Sequence, residues 1–343
     1  MKSQELIKSV AKELAKIRQP QNRIPLEPDV ASIVSELSTR VDPDQPIRAI
    51  TDFLDEATFI ELTSARNQLL ITKEQQQVLR DTVVGFFGLS VGSHAALTWM
   101  MESRATTCII SDPDVIDVTN LNRLRLGVES VGKKKIDVVS QALAAINPFA
   151  QVITSDQIDY ESVRQQFTGN TPIKVVVDAI DNLQGKIWLR QLAKEFSLPL
   201  ISATDVGDNV FLDIERYDLS PQPDFFLGRV PGIENLSLDA LTPIERIQLS
   251  MKIVGLEHNS ESMLQSLLNI GVAIPTWPQL GATATIAGGI TCTAIKKIVL
   301  GENVVSGRYI FSLDAILDKS FNDSARVTVR EQQVSEIQTK FGG

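Results

Sequence analysis

Val83-Val84-Gly85-Phe86-Phe87-Gly88 is followed by Leu89-Ser90-Val91-Gly92-Ser93, by His94 to Met101, and by Cys108-Ile109-Ile110-Ser111-Asp112-Pro113-Asp114. An apolar run, a small-residue turn, a helical pattern and a second apolar run ending on an acid spell the first half of a nucleotide-binding βαβ unit. The first run is apolar on both faces, as a central parallel strand is. The turn Gly88-Leu89-Ser90-Val91-Gly92 lets backbone N–H groups and a helix N-terminus face an anion. It lacks the full GxGxxG, so a plain strand-to-helix turn has the same spelling. Asp112 follows Gly88 by 24 residues, where an acid can accept hydrogen bonds from ribose hydroxyls. Before Pro113 it also reads as a turn-forming acid.

Working outward, strand and helix patterns keep alternating. Gly132 to Ile146, Tyr160 to Phe167 and Leu183 to Phe196 have helical spacing; 151–154, the β-branched 173–177 and 199–203 read as strands. Asn209 to Arg216 reads as an antiparallel strand. This alternation predicts an α/β fold, a doubly wound, Rossmann-like, mostly parallel sheet with a mixed edge. From Ser220 the texture changes: Pro221, Pro223, Gly228, Pro231 and Gly232 mark a long connection or lid. Helices are expected at 242–254, 260–270 and 281–300, the last with Gly288 and Gly289 permitting close packing. Strands are expected at 308–312 and 325–329, then a polar tail.

Residues 1 to about 80 differ. Leu6, Val10, Leu14 and Ile17 give an amphipathic first helix, and breaks at Pro20, Pro25, Pro28, Pro43 and Pro46 separate it from short helices at 30–37 and 47–59. Thr72 is placed to cap a helix over 73–80. The expected organisation is a helical extension at 1–63, a nucleotide-binding domain at 64–330 with 220–280 as its lid or substrate region, and a tail at 331–343.

With 343 residues the chain can bury a large core, and 43% apolar with 22% charged residues is ordinary for a globular protein. A net charge of −9 argues against a generic nucleic-acid surface, although Lys133-Lys134-Lys135 could meet phosphate locally. Cys108 and Cys292 form no CxxC or other metal spacing, which points to a reducing, cytoplasmic setting without structural zinc. The first residues lack the apolar core of a signal peptide, and no apolar stretch reaches the roughly 18 residues of a membrane span.

Charges then accumulate on successive strand ends. Arg123 and Lys135 follow the second strand; Asp178 and Asp181 follow the strand at 173–177, where carboxylates can hold a hard cation. A triphosphate site uses a helix N-terminus, cations on phosphate and a carboxylate for Mg²⁺. A dehydrogenase needs only the turn and the ribose acid.

The segment Asp112-Pro113-Asp114-Val115-Ile116-Asp117-Val118-Thr119-Asn120-Leu121-Asn122-Arg123 resembles the DxDxVxxxNLxRQ signature of the ubiquitin-activating, ThiF/MoeB-like adenylyltransferases. Val131-Gly132-Lys133-Lys134-Lys135 is similar to that family's VGxxK step, Ile146-Asn147-Pro148 to its INP, and Asp178-Ala179-Ile180-Asp181-Asn182 to its DxxDN. The likeness covers roughly residues 64 to 216. It implies ATP and Mg²⁺ as cofactors. Gly88, Ser90 and Gly92 would lie at the nucleotide turn, Asp112 and Asp114 on the ribose side, Asn120, Arg123 and Lys135 around the phosphates, and Asp181 on the metal. Arg66 in Arg66-Asn67-Gln68 is similar to an arginine that reaches the γ-phosphate in a neighbouring subunit, which implies a homodimer. The implied reaction joins ATP to a carboxylate, the C-terminus of a ubiquitin-like protein or a small acyl group, giving an acyl-adenylate.

The sequence also departs from that pattern. Aligned on Gly92-Ser93, the turn has Leu89 and Ser90 where the family has glycines, and aligned on Gly88 it is one residue short; Leu124 replaces a glutamine, and Lys186 stands in for an arginine. No cysteine lies in the crossover after Asp181, so a thioester step is not expected; Cys108 and Cys292 read as core. Two rival readings stay open, a catalytically weakened nucleotide-binding partner or scaffold of another enzyme and an NAD- or FAD-binding oxidoreductase subunit. The terminus Gly342-Gly343 reads as a disordered end rather than as a substrate-like diglycine.

Overall fold

The computed structural model describes residues 3–41 and 47–341. The expected breaks at Pro43 and Pro46 and the terminal Gly342-Gly343 lie outside those residues. The chain divides into two compact units, Met1–Gln77 and Val78–Gly343.

In the first unit α1 (Ser3–Arg18), α2 (Glu27–Ser38) and α3 (Glu56–Ser64) enclose a core of Ile7, Ala11, Leu14, Val30, Ile33, Leu37 and Phe53. The buried stripe of α1 thus runs along Ile7, Ala11, Leu14 and Ala15, with Leu6 and Val10 at its margin. Arg18 forks onto both oxygens of Glu61 at 3.0 and 2.9 Å and ties α1 to α3. The helix expected at 47–59 is broken. Asp52 Oδ2 accepts the amides of Arg48 and Ala49, and Asp55 then caps α3 through the Thr58 amide at 2.8 Å. Helix α4 (Lys73–Asp81) begins as expected at Thr72, whose hydroxyl accepts the Gln75 amide while Gln75 Oε1 accepts the Thr72 amide.

The second unit holds one seven-stranded sheet. In chain order it contains β1 (Val84–Phe87), α5 (Val91–Ser103), β2 (Thr107–Ser111), α6 (Lys135–Ile146), β3 (Gln151–Ser155), α7 (Tyr160–Thr168), β4 (Val175–Asp178), α8 (Leu183–Glu195), β5 (Pro199–Val206) and β6 (Asn209–Arg216). There follow α9 (Pro243–Val254), α10 (Glu261–Leu268), α11 (Gly281–Val299), β7 (Gly307–Ser312), α12 (Leu313–Leu317) and α13 (Ser324–Phe341). The strand order is β3-β2-β1-β4-β5-β6-β7, parallel through β5 and antiparallel at β6 and β7. Helices α5, α6 and α11 pack on one side and α7 and α8 on the other, as right-handed crossovers require. The doubly wound, mostly parallel sheet expected from the sequence is therefore present.

The order in which strands are added to the sheet reverses between β1 and β4. After β1 the chain moves outward to β2 and β3, then crosses back to β4, so a crevice opens beyond the carboxyl ends of β1 and β4. Ligands of open α/β sheets bind at this switch point.

Close backbone approach shapes both flanks. Gly88 has φ +86°, and a Cβ there would stand 2.2 Å from the Ala179 carbonyl oxygen, so only glycine lets the two loops meet. Gly288 in α11 presses on His94 of α5, where a Cβ would stand 2.6 Å from His94 Cβ. Gly289, expected to share that role, faces no atom within 4 Å.

Part of the region after Ser220 is buried. Phe225, Phe226, Val230, Ile233 and Leu238 join the α7/α8 core. The strand expected at 325–329 is instead the first part of α13, which runs on through 331–341, the stretch read as a tail. Val327 and Val329 favour a strand locally, but Arg326 and Arg330, one helical turn apart, both reach Glu261 on α10. Val334, Ile337 and Phe341 pack beside α10 as well, so tertiary contacts override a weak β preference. Among the described residues no helix is long and apolar enough to cross a membrane.

Candidate nucleotide site

The crevice is lined by the turn after β1, the ends of β2, β4 and β5, and the segment entering α11. The sheet builds the first wall. The Gly88 amide donates to the Ser111 carbonyl at 2.8 Å, continuing the β1–β2 ladder past the strand end, and the Ala179 amide donates to Phe87 at 2.8 Å on the other side. Gly92, in the first turn of α5, faces Ala179 as well. Ser90 is the residue before α5, and its carbonyl accepts the Ser93 hydroxyl at 2.8 Å.

Asp112 is 3% exposed at the end of β2. Its Oδ2 accepts the Leu89 amide at 2.6 Å and its Oδ1 the Asp114 amide at 2.8 Å. Lys135, the first residue of α6, is also buried; its Nζ pairs with Asp114 Oδ2 at 2.7 Å and lies 3.7 Å from Asp112 Oδ1. Burial pushes the Asp112 carboxyl above its ordinary range, against the pull of Lys135 and the two amides. Acid and lysine thus stand together, as one wall of a polar pocket.

Arg123 reaches the turn from the opposite wall. Its Nε donates to Ser90 Oγ at 3.1 Å, and its Nη1 to Thr119 O and Asn122 Oδ1. Asn120 is buried and shapes this segment, since its Oδ1 accepts the Asp117 amide at 3.2 Å. Beneath it lies His94, which the sequence reading passed over. His94 Nε2 donates to the Arg123 carbonyl at 2.5 Å and Nδ1 faces Thr285 Oγ1 at 3.4 Å. Burial lowers the His94 pKa and keeps the ring neutral, so it serves as a buttress under Arg123.

The two acids after β4 part company. Asp178 is fully buried, 2.7 Å from Arg190 Nη1 and 3.2 Å from Lys186 Nζ. Burial alone would raise its pKa, but the two cations outweigh it and hold the carboxyl below its ordinary value. Asp178 is therefore spent on an internal network that continues through Arg190 Nε to Glu215 Oε2 at 2.8 Å, and it cannot hold a cation as the sequence suggested. The spacing of Lys186 and Arg190, one turn apart on α8, was the available signal. Asp181 is exposed at the mouth, where it makes no ion pair with a described residue. Arg66 is exposed in a 3-10 turn, Ala65–Asn67, of the first unit.

Asp205 was missed altogether. It sits near the end of β5, is 4% exposed, and its Oδ1 accepts Gln279 Nε2–H at 3.0 Å while Oδ2 has no partner among the described residues. The expected strand stopped at residue 203; β5 runs to Val206 and carries Asp205 to the crevice. Both cysteines are buried, and desolvation pushes the Cys108 thiol up to about 12 and Cys292 higher still. Neither is poised as a nucleophile. A cavity of about 960 Å³ lies apart from the crevice, lined by Met251, Leu256, Ile310, Phe321 and Val334.

A glycine-sharpened turn at the strand-order switch, a buried acid and lysine on one side and an arginine on the other define a nucleotide-binding α/β protein. The chain belongs to the ThiF family, whose pattern it matches over residues 64–334. Over 255 residues it is 31% identical to the protein MT1398 of Mycobacterium tuberculosis (strain CDC 1551 / Oshkosh), covering 74% of this chain and 35% of that one. Over 158 residues it is 33% identical to the tRNA threonylcarbamoyladenosine dehydratase of Bacillus subtilis (strain 168), covering 46% of this chain and 61% of that one. The chain thus spans less than two thirds of the length of either relative. The crystal structure of PaaA superposes with a TM-score of 0.52 at 17% identity, covering 90% of this chain and 93% of that one, and shares the fold.

Proposed function

We propose that the chain is an ATP-dependent adenylyltransferase that activates a carboxylate without a covalent cysteine step. The carrying observation is the convergence of Arg123 on Ser90 beside the Asp112–Lys135 pair at the β1/β4 switch point. Family membership supports ATP over NAD or FAD, because cations on both walls suit a triphosphate and a dinucleotide oxidoreductase would leave them unused.

In this reading Asp112 and Asp114 take the ribose side. Asn120 fixes the segment that presents Arg123, and Arg123 and Lys135 flank the phosphates. The ammonium of Lys135 has a third donor to spare beyond its two carboxylates. The acyl carboxylate attacks the α-phosphorus, forming an acyl–O–P bond as the α–β bridging P–O bond breaks and pyrophosphate leaves. Arg123 and Lys135 stabilise charge gathering on the pyrophosphate. Asp181, an exposed carboxylate with no partner cation among the described residues, suits Mg²⁺, which would supply charge neutralisation on the triphosphate. A carboxylate needs no general base, which accords with the neutral, enclosed His94.

The acyl substrate is the C-terminus of a ubiquitin-like protein or a small acid. Residues 64–330 form the adenylating domain in this reading and 1–63 an extension. Arg66 would serve the γ-phosphate of a neighbouring subunit in a homodimer, and a monomer in light scattering would remove that role.

One observation favours a second reading, a nucleotide-binding partner protein without turnover. Leu89, where the family has glycine, is wholly buried and gives its amide to Asp112, so that N–H is not free for phosphate. Calorimetry with ATP and Mg²⁺ together with ATP–pyrophosphate exchange over a panel of diglycine-ended peptides and small acids separates the two. Binding with exchange supports the enzyme, binding without exchange supports the partner protein, and no ATP binding refutes both.

A further inference from the structure

We propose that Asp205 is a second carboxylate ligand of the divalent cation that enters with ATP, opposite Asp181. The inference rests on the adenylyltransferase reading and deepens it.

Three observations of position carry it. First, β4 and β5 are neighbouring parallel strands, with Asp178 paired in register with Ser202. Asp181 and Asp205 each stand three residues beyond that pair, so both belong to the same carboxyl edge of the sheet. Second, Asp205 is 4% exposed, yet its Oδ2 has no donor among the described residues, while Oδ1 is pinned by Gln279 at 3.0 Å. Leaving a buried carboxylate oxygen without a partner is destabilising, and a cation arriving with the nucleotide would satisfy it. Third, burial raises the Asp205 carboxyl above its ordinary range, and the Asp181 carboxylate adds to that rise against the pull of Arg123, so both charges lie within electrostatic reach of it. Two carboxylates facing one region without a cation between them repel, and a bound cation turns that repulsion into attraction.

The donor set also fits the metal. Among the described residues no group of three or more His, Cys, Asp or Glu could hold an ion alone. Mg²⁺ is usually held by one or two carboxylates plus substrate phosphates, keeping several waters, rather than by an all-protein cage. Asp181 and Asp205 would supply the two carboxylates and ATP the rest. The cation therefore binds together with nucleotide and weakly without it.

Gln279 sets the aim. Its amide holds Oδ1, and the Trp277 indole N–H donates to the Asp205 carbonyl at 3.2 Å, so side chain and backbone of Asp205 are both fixed by the segment leading into α11.

The test is Mn²⁺ binding by electron paramagnetic resonance on the full chain, with and without ATP. Wild type is expected to bind Mn²⁺ tightly only with ATP. Asp205→Asn keeps an oxygen for Gln279 and is expected to weaken Mn²⁺ in the ATP complex at least about tenfold, as is Asp181→Asn. Asp205→Cys is expected to shift preference toward Cd²⁺, a soft ion that thiolate selects. Unchanged Mn²⁺ affinity in Asp205→Asn, or no gain for Cd²⁺ in Asp205→Cys, while ATP still binds, overturns the ligand assignment and leaves the adenylyltransferase reading standing. Failure of wild type to bind ATP overturns both.

Discussion

The Leu89 amide donates to Asp112 Oδ2 across 2.6 Å, tying the turn after β1 to the acid that ends β2. The acid thereby has two duties, holding the turn and offering its remaining lone pairs to a ribose. Asp112→Ala strips acceptors from Leu89, Asp114 and Lys135 together. ATP affinity by calorimetry is expected to fall at least about tenfold, the equivalent of one charged hydrogen bond of roughly 1.5–3 kcal/mol. Asp112→Asn retains one acceptor and should lose less. Equal ATP binding in wild type and Asp112→Ala would remove the ribose role.

Arg190 lies 2.7 Å from Asp178 and 2.8 Å from Glu215, with its guanidinium 3.7 Å from the Phe226 ring centroid. Removing it leaves two buried carboxylates, one of which, Asp178, keeps Lys186 as a cation and the Ile180 amide as a donor. Arg190→Met is expected to cost about 3–5 kcal/mol in urea unfolding, the cost of breaking a buried pair from one side. Adding Glu215→Gln should restore part of it, because burial already raises the Glu215 pKa and the neutral side chain suits its site. A double variant no more stable than the single one would show that Glu215 is not the stranded charge.

Glu261 anchors α13 by accepting from Arg326 and Arg330, and the Arg326 hydrogen bond, foremost, holds its pKa down from 4.5 to about 2. A depressed carboxyl contributes stability above its unfolded pKa and loses it as pH falls through the folded value. The grip of α10 on α13 should be intact at neutral pH and weaken as pH drops from 4.5 toward about 2. Hydrogen exchange in α13 across that window checks it, and Glu261→Gln should show fast exchange at neutral pH. Exchange in α13 that is indifferent to both would refute the anchor.

The sequence was most legible where a single local rule sufficed. β-Branched and apolar runs marked β1 to β5, and the acid, lysine and arginine of the crevice stood at readable positions. It was least legible where a distant partner decides. Whether Asp178 or Asp181 meets the crevice depends on Lys186 and Arg190 reaching back from α8. Residues 325–329 look like a strand until Glu261, more than sixty positions earlier, is seen to draw Arg326 and Arg330 onto α10. Asp205 and His94 carry no motif; their meaning lies in what surrounds them, Gln279 for one and the Arg123 carbonyl for the other.

Gln279 works as a yoke. Its carbonyl accepts Asn122 Nδ2 at 2.8 Å and its side chain holds Asp205 at 3.0 Å, so one residue is harnessed to both banks of the crevice. Two residues on, Gly281 runs so close to the Asn122 carbonyl that a Cβ would stand 2.6 Å away, which leaves the yoke little slack. The arginine-bearing segment and the β5 acid therefore move together or not at all, and a ligand that shifts one bank draws the other with it.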